Sequence, residues 1–104
     1  PIRGPCFYGI DMSTVSELLV PKYEGKPNKE EVDKKAIERM AKDLGADSLR
    51  YQNIQGLVKS IGKPAKDLCM ACLTGEYPTP WGKKLYLKAW DNYRKGVKER
   101  TYAC

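Results

Sequence analysis

At 104 residues the chain holds one domain at most, large enough for a modest core and small enough that a metal staple would add to its stability. It contains no histidine, which excludes a His-based nucleophile triad, a His general base and His metal ligands, and leaves cysteine and carboxylate as the strong ligand types. The net charge of +6 is concentrated at the end, where seven basic residues from Lys83 onward face only Asp91 and Glu99.

Taken in order, Phe7, Tyr8 and Ile10 are strand formers, so residues 6–10 predict a short buried strand ending at Asp11. Open α/β sheets place ligand-handling side chains at such a strand edge; the other reading of Asp11 is a cap for the next helix. Thr14 and Glu17 have capping-box spacing and predict a short helix from near Val15 to just before Pro21. Residues 22–29 read as an exposed loop. Asn28 and Glu31 supply a second capping box for the clearest helix, in which Val32, Ala36, Met40 and Leu44 recur every four residues until Gly45.

Residues 46–52 predict a second short strand through Leu49 and Tyr51, after which Asn53 caps a helix carrying Ile54, Leu57, Val58 and Ile61 before Gly62. Residues 75–82 read as a loop punctuated by Pro78 and Pro80. From Lys84 a helix follows whose Tyr86, Trp90, Tyr93 and Val97 share one stripe. This rhythm predicts an α/β fold with short strands and about four helices, whose sheet is incomplete on its own because two short strands need partners. The first residues enter an apolar segment almost at once, which suggests a piece of a longer chain. Residues 1–82 form the main unit in this reading, and 83–104 a basic amphipathic C-terminal helix.

The chemistry lies in the cysteines. Cys69 and Cys72 form a Cys-x-x-Cys turn that sets two sulfurs on one side of a tight loop, and the distant Cys6 can close a shared site. Cys104 is the terminal residue, where fraying makes a rigid ligand less suitable. No apolar signal segment and no membrane-length apolar run is present, so a soluble cytoplasmic protein with reduced thiols is expected rather than a secreted disulfide framework. The flanking Leu68, Met70, Ala71 and Leu73 predict partly buried sulfurs, unlike the exposed low-pKa thiol of a redox pair. The spacing alone leaves an iron-sulfur cluster, a zinc ion and no metal open.

In order, Pro5-Cys-Phe-Tyr-Gly-Ile-Asp-Met-Ser-Thr14, Glu17-Leu-Leu, Leu44-Gly-Ala-Asp-Ser-Leu-Arg-Tyr51, Gly56-Leu and Cys69-Met-Ala-Cys-Leu-Thr-Gly-Glu-Tyr-Pro-Thr79 resemble the C-terminal part of the amidophosphoribosyltransferases. That family makes 5-phosphoribosylamine from phosphoribosyl pyrophosphate and glutamine-derived ammonia, the first step of de novo purine synthesis. The resemblance implies the C-terminal portion of a type I phosphoribosyltransferase domain. It also implies that Cys6, Cys69 and Cys72 are three ligands of a four-iron, four-sulfur (4Fe-4S) cluster whose fourth ligand lies outside this chain. The cluster would be structural or oxygen-sensing rather than a participant in the chemistry.

Neither catalytic set of the family is found here, because an N-terminal nucleophile and an acidic pyrophosphate-binding loop are both lacking; no catalytic residue is assigned in this chain. Asp11 and Leu18 are carried over as residues that would line the ammonia channel. The implied partners are the glutaminase and main transferase regions of the same enzyme, Mg with phosphoribosyl pyrophosphate in the whole enzyme, and further copies of the whole enzyme in a homo-oligomer. No membrane partner is expected. The alternative from another class is a metal-stapled binding module whose basic helix, with Tyr86, Trp90 and Tyr93, contacts RNA or an acidic partner. Aromatics on one helical stripe favour core packing over nucleic-acid binding.

Overall fold

A computed structural model of the chain describes residues 4–8, 14–24 and 31–99. Among them there is no β-strand, and the described residues are mostly helical, which corrects the expectation of an α/β unit with short strands. Residues 7 and 8 lie in a turn, and residues 48–53 run without ladder partners. A strand exists through the chain that pairs with its N–H and C=O groups, and strand-forming side chains alone do not supply that chain. The sheet of a type I phosphoribosyltransferase domain is therefore not seen in the described residues.

The first regular element is a 3-10 turn over Val15–Glu17, followed by α1, Leu19–Glu24. The predicted helix from Val15 to Pro21 is broken at Leu18, which is extended at φ −105° and ψ 144°, and Thr14 makes no side-chain cap. Pro21 falls inside the first turn of α1, where its missing N–H would have had no helical acceptor. Helix α2, Lys34–Leu44, is capped by Asp33, whose side chain accepts from the Lys35 N–H at 3.2 Å. The cap expected at Asn28 lies outside the described residues. Ala36, Met40 and Ala41 are buried on α2, and Leu44 is left 55% exposed.

Helices α1 and α2 pack into a small core of Val20, Ala36 and Met40, bordered by Leu19, Tyr23, Val32, Leu49 and Tyr51. Leu49 and Tyr51, expected on a strand, lie on this core instead, and the Tyr51 hydroxyl donates to Met40 Sδ at 3.7 Å. The Tyr23 hydroxyl donates to the Asp43 carboxylate, tying α1 to the end of α2.

Helix α3, Ile54–Ile61, forms as the sequence predicts. Asn53 Oδ1 accepts from the Gly56 N–H at 2.6 Å, and Gly62 ends the helix at φ +71°. No α3 residue is buried. A 3-10 turn, Ala65–Asp67, then leads to the four-residue helix α4, Ala71–Thr74.

Helix α5, Pro80–Arg94, begins earlier than the apolar stripe suggests, because Thr79 caps it by accepting from the Gly82 N–H at 3.1 Å and Pro80 suits the first turn. It buries Gly82, Leu85, Ala89 and Trp90. Leu85, Ala89 and Trp90 join Phe7, Val15, Ala71 and Tyr77 in a second core, with Tyr8, Tyr86 and Tyr93 packed against it. Val97 lies beyond the helix and is 41% exposed. The molecule is flattened, 40 × 38 × 18 Å.

Candidate metal centre

The Cys-x-x-Cys segment is shaped by its own backbone. The Met70 carbonyl accepts the N–H groups of Leu73 and Thr74, each at 2.9 Å, and the Thr74 hydroxyl at 3.1 Å, so the chain turns tightly between the two cysteines. Cys72 thereby sits in the first turn of α4, half-buried beside the buried Ala71, and Cys69 precedes the helix. The expectation of partly buried sulfurs in this pair holds for Cys72 and fails for Cys69, which is exposed; Cys6 is half-buried as well.

Cys6 reaches this segment through Tyr77. The Tyr77 hydroxyl donates to the Pro5 carbonyl at 3.1 Å and accepts from the Phe7 N–H at 3.3 Å, contacts that span 72 and 70 residues of sequence. Its ring is 2% exposed and packs against Phe7, Tyr8 and Tyr86 at centroid distances of 5.7, 5.2 and 5.8 Å. The Tyr8 hydroxyl shares a 2.8 Å hydrogen bond with Thr79 Oγ1, the same oxygen that caps α5. Gly82 makes this arrangement sterically feasible, since a Cβ there would lie 2.5 Å from Tyr8 Oη and 2.8 Å from Tyr77 Cδ1.

The electrostatics tie the cysteines together. Burial pushes the Cys72 thiol above its ordinary pKa, and the neighbouring Cys6 and, more weakly, Cys69 push it the same way, against a lowering backbone hydrogen bond. A nucleophilic redox cysteine needs the opposite shift, so Cys72 is not suited to be an attacking thiol. Tyr77 is likewise raised, first by burial and then by Cys6, Cys72 and Tyr8, while the Phe7 N–H opposes the shift. Its phenol is therefore neutral at physiological pH and able to donate to Pro5.

A closed zinc site gathers its donors about 2.0–2.3 Å from one ion. Among the described residues no three His, Cys, Asp or Glu side chains are gathered closely enough to hold a single metal ion. What the segment offers is three soft thiol donors in one electrostatic neighbourhood without being drawn onto one point.

Asp11 and Cys104 lie outside the described residues. Leu18 is buried, 7% exposed, at the junction between the 3-10 turn and α1, and its carbonyl accepts the Lys22 N–H at 3.3 Å. The α5 aromatics turn inward: Tyr86 and Trp90 meet edge to face at 6.4 Å, Trp90 and Tyr93 at 5.5 Å, and the Tyr93 hydroxyl donates to the Pro21 carbonyl at 3.2 Å. Trp81 is the half-exposed aromatic of α5, with the Lys84 ammonium 5.3 Å from its ring centre. Among the described residues no helix is long and apolar enough to cross a membrane.

Sequence reasoning missed Tyr77, which it placed in a loop. The available signal was a large aromatic just after the cysteine pair, in a stretch too short to be helical and beside a proline.

No protein-family model matches the chain, and no solved structure is significantly similar to it. Curated relatives do match. The amidophosphoribosyltransferase of Methanocaldococcus jannaschii is 47% identical over 78 residues, covering 75% of this chain and 14% of the relative. That of Bacillus subtilis is 39% identical over 83 residues, 76% of this chain and 15% of the relative. That of Staphylococcus epidermidis is 38% identical over 100 residues, 92% of this chain and 17% of the relative. The chain thus spans a small part of the length of the curated relatives it matches.

Proposed function

The chain is related to a segment of the amidophosphoribosyltransferases, and from this we propose that it is the C-terminal segment, or a separate subunit, of an enzyme that makes 5-phosphoribosylamine from phosphoribosyl pyrophosphate and glutamine-derived ammonia. The reacting residues, and Mg on the pyrophosphate substrate, belong in this reading to the rest of the enzyme, a cytoplasmic homo-oligomer. The segment completes a type I phosphoribosyltransferase domain whose strands come from that remainder. Asp11 and Leu18 would line the ammonia path, and the burial of Leu18 suits a channel wall as well as a core.

The segment's own task is to present Cys6, Cys69 and Cys72 as three thiolate ligands of a four-iron, four-sulfur cluster, with the fourth donor outside these residues. The observation that carries this is the Tyr77 bridge, which brings the Cys6 turn to the α4 segment from the far end of the chain. When bound, the cluster supplies a structural or oxygen-sensing cross-link and no step of the transfer. Ligation requires thiolates, so the raised Cys72 pKa means that loading releases a proton there and is favoured by higher pH.

The test is metal analysis of the complete enzyme prepared anaerobically. Iron and acid-labile sulfide in equal amounts, with brown colour that Cys69→Ser abolishes, are the expected result. A fully assembled enzyme containing zinc and no iron would falsify the cluster.

A further inference from the structure

We propose that Tyr77 is the positioning residue for Cys6, a role that rests on the metal-centre reading above. Its hydroxyl uses both of its hydrogen-bonding capacities on Cys6's own flanks. The Pro5 carbonyl belongs to the peptide group before the Cys6 Cα, and the Phe7 N–H to the peptide group after it. A phenol that only needed satisfying in a core could have taken any single partner, as Tyr93 does with the Pro21 carbonyl. Clamping both peptide groups of one residue fixes the direction in which that residue's side chain leaves the backbone.

The clamp is itself held rigidly. Rings of Phe7, Tyr8 and Tyr86 surround Tyr77, and Gly82 lets helix α5 close against its Cβ. Tyr77 also stands five residues after Cys72, joined to α4 through Gly75, whose N–H donates to the Ala71 carbonyl at 2.8 Å. One side chain therefore sets Cys6 relative to Cys72, where two separate loops would otherwise have to be ordered independently.

The experiment uses the complete enzyme and compares Tyr77→Phe with Tyr93→Phe. Each removes one hydroxyl from the same aromatic core and keeps the ring, but only the first unclamps Cys6. In the iron-free protein, alkylation of Cys6 by iodoacetamide is followed by peptide mass spectrometry, with the exposed Cys69 as internal standard. Tyr77→Phe should raise the Cys6 rate relative to Cys69 roughly tenfold, the factor expected for losing a buried hydrogen-bonded pair, and in the iron-loaded protein it should shift the visible spectrum and speed iron release to a chelator. Tyr93→Phe should do neither. An unchanged Cys6 rate in Tyr77→Phe, or an equal rise in Tyr93→Phe, overturns the proposal. Because the alkylation is measured without iron, its failure is distinct from failure of the metal-centre reading, which the iron content of the wild type decides.

Discussion

The aromatic core around Tyr77 and helix α3 are both rich in apolar side chains, yet the first buries Phe7, Tyr77, Leu85 and Trp90 almost completely while the second buries nothing. Helix α3 owes its form to local causes, the Asn53 cap and the Gly62 stop, which act within one turn of the residues they serve. Its Ile54, Leu57 and Val58 are half-covered and Ile61 is 49% exposed. The aromatic core draws instead on distant stretches, the Cys6 turn, Val15 of the 3-10 turn, Ala71 of α4, the loop after α4 and one face of α5. An amphipathic pattern specifies a helix and the side it would bury. It does not supply what covers that side.

The contrast is broken most severely by truncation. Leu85→Ala should cost about 2–5 kcal/mol, because the side chain is 5% exposed in a packed core, whereas Leu57→Ala should cost roughly 1 kcal/mol or less in this segment. Denaturant unfolding of both variants checks this, and equal losses would mean that α3 is covered as fully as α5.

A smaller effect separates two glycines. Gly82→Ala should cost about 1–3 kcal/mol through its clash with Tyr8 and Tyr77 despite alanine's better helix propensity. Gly62→Ala meets no atom within 4 Å and should cost about 1–2 kcal/mol through its left-handed backbone alone. Asparagine tolerates that conformation, so Gly62→Asn should recover part of the loss and Gly82→Asn none; recovery at both sites would contradict the steric account.

The smallest effect is on pH. The raised pKa of Cys72 means that the folded, metal-free chain keeps a proton that the unfolded chain releases first. That contribution is complete below the ordinary thiol pKa and is lost as pH rises through the higher folded value, so stability falls on the alkaline side. Tyr77 acts in the same sense at still higher pH. Cys72→Ala should flatten the first part of that decline in alkaline unfolding curves, and an unaltered slope would count against burial as the cause.

Much of the helical framework was legible from residue order. The burial of Ala36, Met40 and Trp90, the Asn53 cap and the glycine stops at Gly45 and Gly62 depend on neighbours three or four positions away, which the sequence displays directly, whereas the expected stripes also held Leu44 and Val97, which are exposed. The strands expected at residues 6–10 and 46–52 were not legible in the same way, since a strand is defined by a partner and residues 46–52 have none among those described. The helix expected from Val15 failed because a capping-box spacing cannot show that Leu18 is extended.

For the candidate site, sequence alone displayed the candidate thiols of Cys6, Cys69 and Cys72, the lack of histidine, and apolar flanks around one pair. Only the tertiary structure decided that Cys6 stands in the same electrostatic neighbourhood as Cys72 and that Cys69 is exposed. The physical reason lies in Tyr77. Its two hydrogen-bond partners are 70 and 72 residues away, and a contact of that separation leaves no periodic trace in the sequence.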